Sequence, residues 1–145
     1  MANKKAMPII LSVLASAAVI FGLVCVFAAP PEDGFELTNA EIAREITLGE
    51  EIHVAAALKN KQIFFHIVRH SASLVRISIR KADEEPNSVA VSDSKTEVLF
   101  MFQSKKQSAT FMPEEKGDFT IDVFSYFTKR NKSYGYHKEI KISVV

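Results

Sequence analysis

The chain has no tryptophan, one cysteine, and only five glycines and five prolines in 145 residues. With Cys25 as its single thiol it can form no intramolecular disulfide, so a folded domain must rest on its apolar core. The shortage of glycine leaves no phosphate-cradling loop. No nucleophile elbow and no paired-histidine metalloprotease motif occurs either. Charge of one sign is also missing: 18 Lys and Arg face 17 Asp and Glu. No bulk field draws the chain to nucleic acid or another polyanion. Histidine is scarce, with His53, His66, His70 and His137 alone. His66 and His70 fall in a segment that reads as a strand, where four residues span ~13 Å, too far to chelate one ion locally. The chain is therefore read as non-catalytic, with no cofactor, no metal site and no nucleic-acid partner.

The most conspicuous absence is local. From Pro8 to Ala29 there is no charged residue, and Pro30, Pro31, Glu32, Asp33 and Gly34 end the run abruptly. A hydrocarbon layer ~30 Å thick needs roughly 20 helical residues at ~1.5 Å each, and this run has the length. Its Ile, Leu, Val and Phe residues favour insertion by about 4–7 kcal/mol. A cleaved signal peptide is the rival reading, with Val26-Phe27-Ala28 as an acceptable cleavage site, but its apolar part would be ~7–15 residues. The longer run favours a signal anchor. Lys4 and Lys5 precede it, and no basic residue follows until Arg44. The positive-inside rule then puts the N-terminus in the cytoplasm and the rest outside, in a single-pass protein of the cell membrane. The expected division is a cytoplasmic 1–7, a transmembrane helix 8–29, a linker 30–36 and an extracytoplasmic domain 37–145. Within the helix, Ala15, Ala18, Gly22, Cys25 and Ala29 recur at spacings of three and four. They form a small-residue stripe on which another helix can pack closely.

Beyond Gly49, apolar residues alternate with period two. Ile52, Val54, Ala56 and Leu58 form one inward set; Val75, Ile77 and Ile79 another. Phe119, Ile121 and Val123 follow, then Ile140, Ile142 and Val144. Gln62 to Arg69 reads as one strand apolar on both faces, and Val98, Phe100 and Phe102 as a further inward set, although Leu99 and Met101 make that strand apolar on its other face too. Turn chemistry marks 81–88, 103–108, 113–118 and 129–133. Leu37 to Ile46 is ambiguous: Thr38 and Glu41 would make a helix capping box, while Ile42, Arg44 and Ile46 alternate as an edge strand would. The strand reading is preferred. Seven or eight short strands in about 110 residues predict an all-β fold, an antiparallel immunoglobulin-like β-sandwich behind a single N-terminal transmembrane helix.

The stretch Ser108 to Val123, SATFMPEEKGDFTIDV, carries a strand ending in Phe-x-Pro, an acidic turn, Gly117, an aromatic and alternating β-branched residues. It resembles a corner of immunoglobulin-like sandwiches and of GOLD (emp24-type) domains, which are membrane-tethered β-sandwiches. The resemblance implies that Phe119 plugs the end of the core. It does not extend to the cysteine pair of the eukaryotic emp24 proteins, and their cargo-receptor role is not carried over.

The last hairpin, Ser125 to Lys138, is the candidate contact loop. Lys129, Arg130 and Lys132 lie at its tip between Tyr126, Tyr134 and Tyr136, residue types favoured at interface hot spots. The other reading is a solvated turn whose aromatics pack on the domain end. Asn131-Lys132-Ser133 is a glycosylation sequon. The expected role is an accessory or scaffolding subunit of a membrane complex, touching partner membrane proteins through helix and sandwich and the lipid bilayer through the helix. The alternative is an extracytoplasmic ligand- or protein-binding module.

Overall fold

A computed structural model describes residues 6–86 and 94–145. Lys4 and Lys5, which set the expected orientation, lie outside the described residues, as does the end of the 81–88 turn. Helix α1 spans Ala6–Phe27. It is the one helix among the described residues long and apolar enough to cross a membrane, and almost none of it is covered by the rest of the chain. A single 3-10 turn, Glu32–Gly34, leads into the strands.

Nine strands follow among the described residues. They are β1 (Phe35–Asn39), β2 (Glu45–Ile46), β3 (Ile52–Asn60), β4 (His66–Ser71), β5 (Arg76–Lys81), β6 (Ser94–Leu99), β7 (Ser104–Phe111), β8 (Gly117–Lys129) and β9 (Lys132–Val144). One sheet has the order β1-β3-β7 and the other β2-β9-β8-β4-β6, with β5 also on β8. The fold is thus an immunoglobulin-like β-sandwich, antiparallel except where β2 runs parallel to β9. The long hairpin β8–β9 is its spine, in register from Gly117↔Val144 to Lys129↔Lys132. Strands β4 and β5 lie end to end along β8, and Ala72, at φ 52°, turns the chain out between them.

The alternation dictates the core. Leu37, Ile52, Val54 and Leu58 point inward from the small sheet, and Val68, Ile121, Val123, Phe127 and Ile142 from the large one. The corner at 108–123 has Pro113 buried and Phe119 in the core. Gly117 opens β8 at φ 141°, a conformation side chains disfavour.

Several expectations need correction. Leu37 to Ile46 is not one strand: β1 joins the small sheet, and β2 crosses to the large one. No helix forms there, because Ala40 N–H bonds Ala55 and the Arg44 carbonyl bonds Ser143, committing the backbone to both sheets. The linker ends early, since Phe35 is already in β1 and buried. Gln62 to Phe65 is a loop, and the strand starts only at His66. The segment 103–108 is mostly strand: β7 begins at Ser104 and pairs with β3 along its length. Its polar sequence reflects its place at the sheet edge, where lysines such as Lys105 and Lys106 discourage pairing with another chain.

The parity of β6 is also reversed. Leu99 is fully buried, whereas Phe100 and Phe102 are 57% and 58% exposed in the turn that follows. His66 opposite Leu99 fixes that register. Accordingly, Leu99→Ala should cost about 2–5 kcal/mol of stability, whereas Phe100→Ala should stay within about 0.5 kcal/mol. Urea unfolding of the full chain in detergent would show it; the opposite ranking would restore the sequence-based parity.

Candidate functional site

The strand directions bring three loops to the end of the sandwich where α1 leaves it: 61–65, 100–103 and the tip of the β8–β9 hairpin. That hairpin turns through Arg130 and Asn131 alone, with Arg130 at φ 55°. The tight turn keeps Lys129 in the strand, where inward parity buries its side chain to 2% exposure.

There its ammonium meets the last turn of the helix. Lys129 Nζ donates to the Cys25 carbonyl at 2.7 Å and to His66 Nδ1 at 2.8 Å. His66 Nε2 lies 2.9 Å from Gln62 Oε1. Nδ1 must accept from an ammonium, so Nε2 carries the proton and donates to Gln62. Arg130 Nη1 donates to the Phe27 carbonyl at 3.3 Å, and its guanidinium lies 4.8 Å from the Phe27 ring centre. Two cations thus satisfy carbonyls that a helix C-terminus leaves unpaired and face the negative end of its dipole.

The linker is stitched down by the same hairpin. Tyr134 donates to the Pro30 carbonyl at 2.8 Å and Tyr136 to the Glu32 carbonyl at 2.7 Å. Burial pushes the Tyr136 hydroxyl up to about 12, so it remains a donor. Phe35 packs edge-on against Phe127 at 5.0 Å, and Phe127 stacks on Tyr134 at 5.3 Å. Gly34 allows the close approach: a Cβ there would lie 1.9 Å from Gln62 Nε2. Gln62 is the same residue that orients His66.

The residues of the small stripe separate in this geometry. Cys25 is fully buried under the sandwich and Gly22 is half-buried with open space over its Cα, while Ala15, Ala18 and Ala29 are exposed. In the contact loop, Lys129, Arg130, Tyr134 and Tyr136 all bond the helix end or linker. Lys132 lies over the Tyr134 ring and 3.9 Å from Glu32. Tyr126 stands apart on the outer face, 40% exposed, beside Gly135. Asn131 is exposed at the hairpin tip. Gln62 and His66 escaped sequence reasoning because the segment around them reads as a uniform apolar strand; the polar residues within QIFFHIVR were the available signal.

A second polar cluster lies on the outer face of the large sheet. Asp122, His137 and Glu139 come within metal-binding reach of one another. Asp122 is buried and accepts from Arg80 Nε at 2.7 Å and from His137 Nε2 at 2.8 Å. Arg80 also donates to Glu139 at 3.0 Å. The guanidinium supplies the positive charge these carboxylates need, and the arrangement reads as a structural ion-pair network.

No known protein family and no curated protein matches the chain. Solved structures match its fold. A CARDB domain from Pyrococcus furiosus is 13% identical, with 77% of this chain aligned to 94% of that one at a TM-score of 0.50. An ASH/PapD-like domain of human CEP192 is 17% identical over 82% of this chain and 91% of its own, at 0.46. A β-glucosidase from Listeria innocua aligns over 76% of this chain at 15% identity and 0.48, but the alignment spans only 16% of the enzyme. The likeness is one of fold.

Burial, with Lys129 beside it, lowers the His66 pKa from 6.5 to about 4. As pH falls below 6.5, the unfolded chain takes up this proton before the folded one does, so stability declines between about pH 6.5 and about 4, by at most about 3 kcal/mol. Above pH 6.5 this contribution is fully present. Replacing His66 with Gln should remove that increment from the urea midpoints measured at pH 7 and 4.5; an identical pH slope in both proteins would contradict the assignment.

Proposed function

We propose that the chain is a membrane-anchored, non-catalytic protein that serves as an accessory or scaffolding subunit of a membrane protein complex. In this reading α1 spans the bilayer with the N-terminus in the cytoplasm, and the sandwich docks on partners at the extracytoplasmic face. The observation that carries it is the buried Lys129 bond to the Cys25 carbonyl. A flexible tether would leave the sandwich free to tumble, whereas this joint fixes its orientation on the helix. A fixed orientation suits a part that must meet a partner's outer face and its membrane helices together.

The same bond favours an uncleaved anchor. Cleavage near Ala28 would remove the carbonyls of Cys25 and Phe27 and leave a buried ammonium with only His66. The upper stripe residues Ala15 and Ala18 remain free for a partner helix, and Gly22 offers a close approach. A second reading, a tethered ligand-binding module, draws on a pocket of about 270 Å³ on the outer face, lined by Phe124, Tyr126, Tyr136 and His137.

Gly22 has no neighbour within 4 Å of a built Cβ. Gly22→Leu is therefore expected to leave insertion and folding intact while reducing the recovery of co-purifying membrane proteins in mild detergent. A wild-type chain that elutes alone in several detergents would refute the subunit role, and unchanged recovery of partners with Gly22→Leu would reduce the helix to a tether.

A further inference from the structure

We infer that the sandwich is itself seated in the lipid surface: loops 61–65 and 100–102 form an apolar rim that dips into the bilayer beside the helix. The inference rests on the membrane-spanning reading of α1. Its starting point is the Phe64 ring, 5.5 Å from the ring of Phe21. Phe21 lies six residues before the helix end at Phe27, about 9 Å along the axis. It sits within the uncharged run, with the next charged residue only at Glu32. A loop that packs on Phe21 is therefore already at the depth of the hydrocarbon.

The rim is wide. Ile63 is 56% exposed, Phe100 57%, Met101 50% and Phe102 58%. Three consecutive large apolar side chains left open at a loop tip mark a contact surface rather than a failure of packing. The loops are also built to hold them there. Fully buried Asn60 donates from Nδ2 to the carbonyls of Phe64 at 2.8 Å and Phe100 at 3.1 Å, and its Oδ1 accepts from Gln62 N–H at 3.0 Å. Phe102 N–H donates to the Gln62 carbonyl at 3.3 Å, tying one loop to the other. Phe102 itself sits at φ 54°, a conformation a bulky residue adopts only when its surroundings impose it. Nearby, Lys61, Arg130 and Lys132 are exposed. Arg130 bonds the Phe27 carbonyl at the helix end, and Lys132 and the Lys61 backbone contact Glu32 and Gly34 just beyond it, where phospholipid headgroups would receive their charges.

The lack of tryptophan makes the test direct. Four single-tryptophan versions of the full chain, Phe100→Trp and Ile63→Trp in the two rim loops, Leu14→Trp in the helix and Met112→Trp at the far end of the sandwich, are reconstituted into phosphatidylcholine vesicles. Fluorescence is compared with and without brominated acyl chains. Phe100→Trp and Leu14→Trp should lose most of their emission in brominated lipid, and Met112→Trp should keep its own. Ile63→Trp should repeat the Phe100→Trp result from the other loop. Emission from both rim variants that matches Met112→Trp, while Leu14→Trp is quenched, would overturn the rim and leave the anchor standing. An unquenched Leu14→Trp would remove the anchor and the rim together.

Discussion

Among the described residues, Lys129 is the only lysine whose ammonium is buried between two structural units, and the arrangement of both depends on it. Taking an ammonium out of water costs several kcal/mol even after relaxation. Here the cost is offset by three favourable effects. One is a charge-assisted bond to a helix carbonyl, worth about 1.5–3 kcal/mol. The second is the helix dipole, which adds about 0.3–1 kcal/mol for a cation at the C-terminus. The third is His66, held in the accepting tautomer by Gln62. Burial lowers the Lys129 pKa, and the neighbouring Arg130 lowers it further. The balance holds only while the helix end stays in place, which makes the cation a sensor of correct docking.

Around that point the fold has few alternatives. The two-residue β8–β9 turn fixes which side of the strand Lys129 occupies, and the thirteen-residue register behind it fixes the sheet. Phe35 enters β1 directly after Gly34, so the chain passes from helix to core within a few residues. Tyr134 and Tyr136 occupy those intervening carbonyls. The result is a helix whose last turn is built into the domain end.

The sandwich and most of its inward faces were legible in the sequence because period-two alternation is a direct consequence of strand geometry. Ile52 to Leu58 and Phe119 to Val123 illustrate it. Legibility failed where burial and periodicity part company. Phe100 and Phe102 look like core by composition, yet the strand has already ended at Leu99. Ser104 to Gln107 looks like a turn because an edge strand needs no apolar face. Tyrosines and basic residues near the hairpin tip stood out as a contact surface. That they contact this chain's own helix depends on a fold-back of about a hundred residues in sequence, which no local pattern encodes. Asn60 was invisible for the same reason: one of the carbonyls it holds, that of Phe100, comes from a loop forty residues on.

Cys25, the single thiol, offers the most direct measurement of the joint, because it is fully buried beneath the sandwich. Maleimide labelling of the full chain in detergent micelles should proceed about tenfold more slowly in the native protein than in Lys129→Met, corresponding to ~1.4 kcal/mol of local opening free energy, with strand content by circular dichroism unchanged. Equal labelling rates in the two folded proteins would show that the helix and the sandwich are not held together by Lys129.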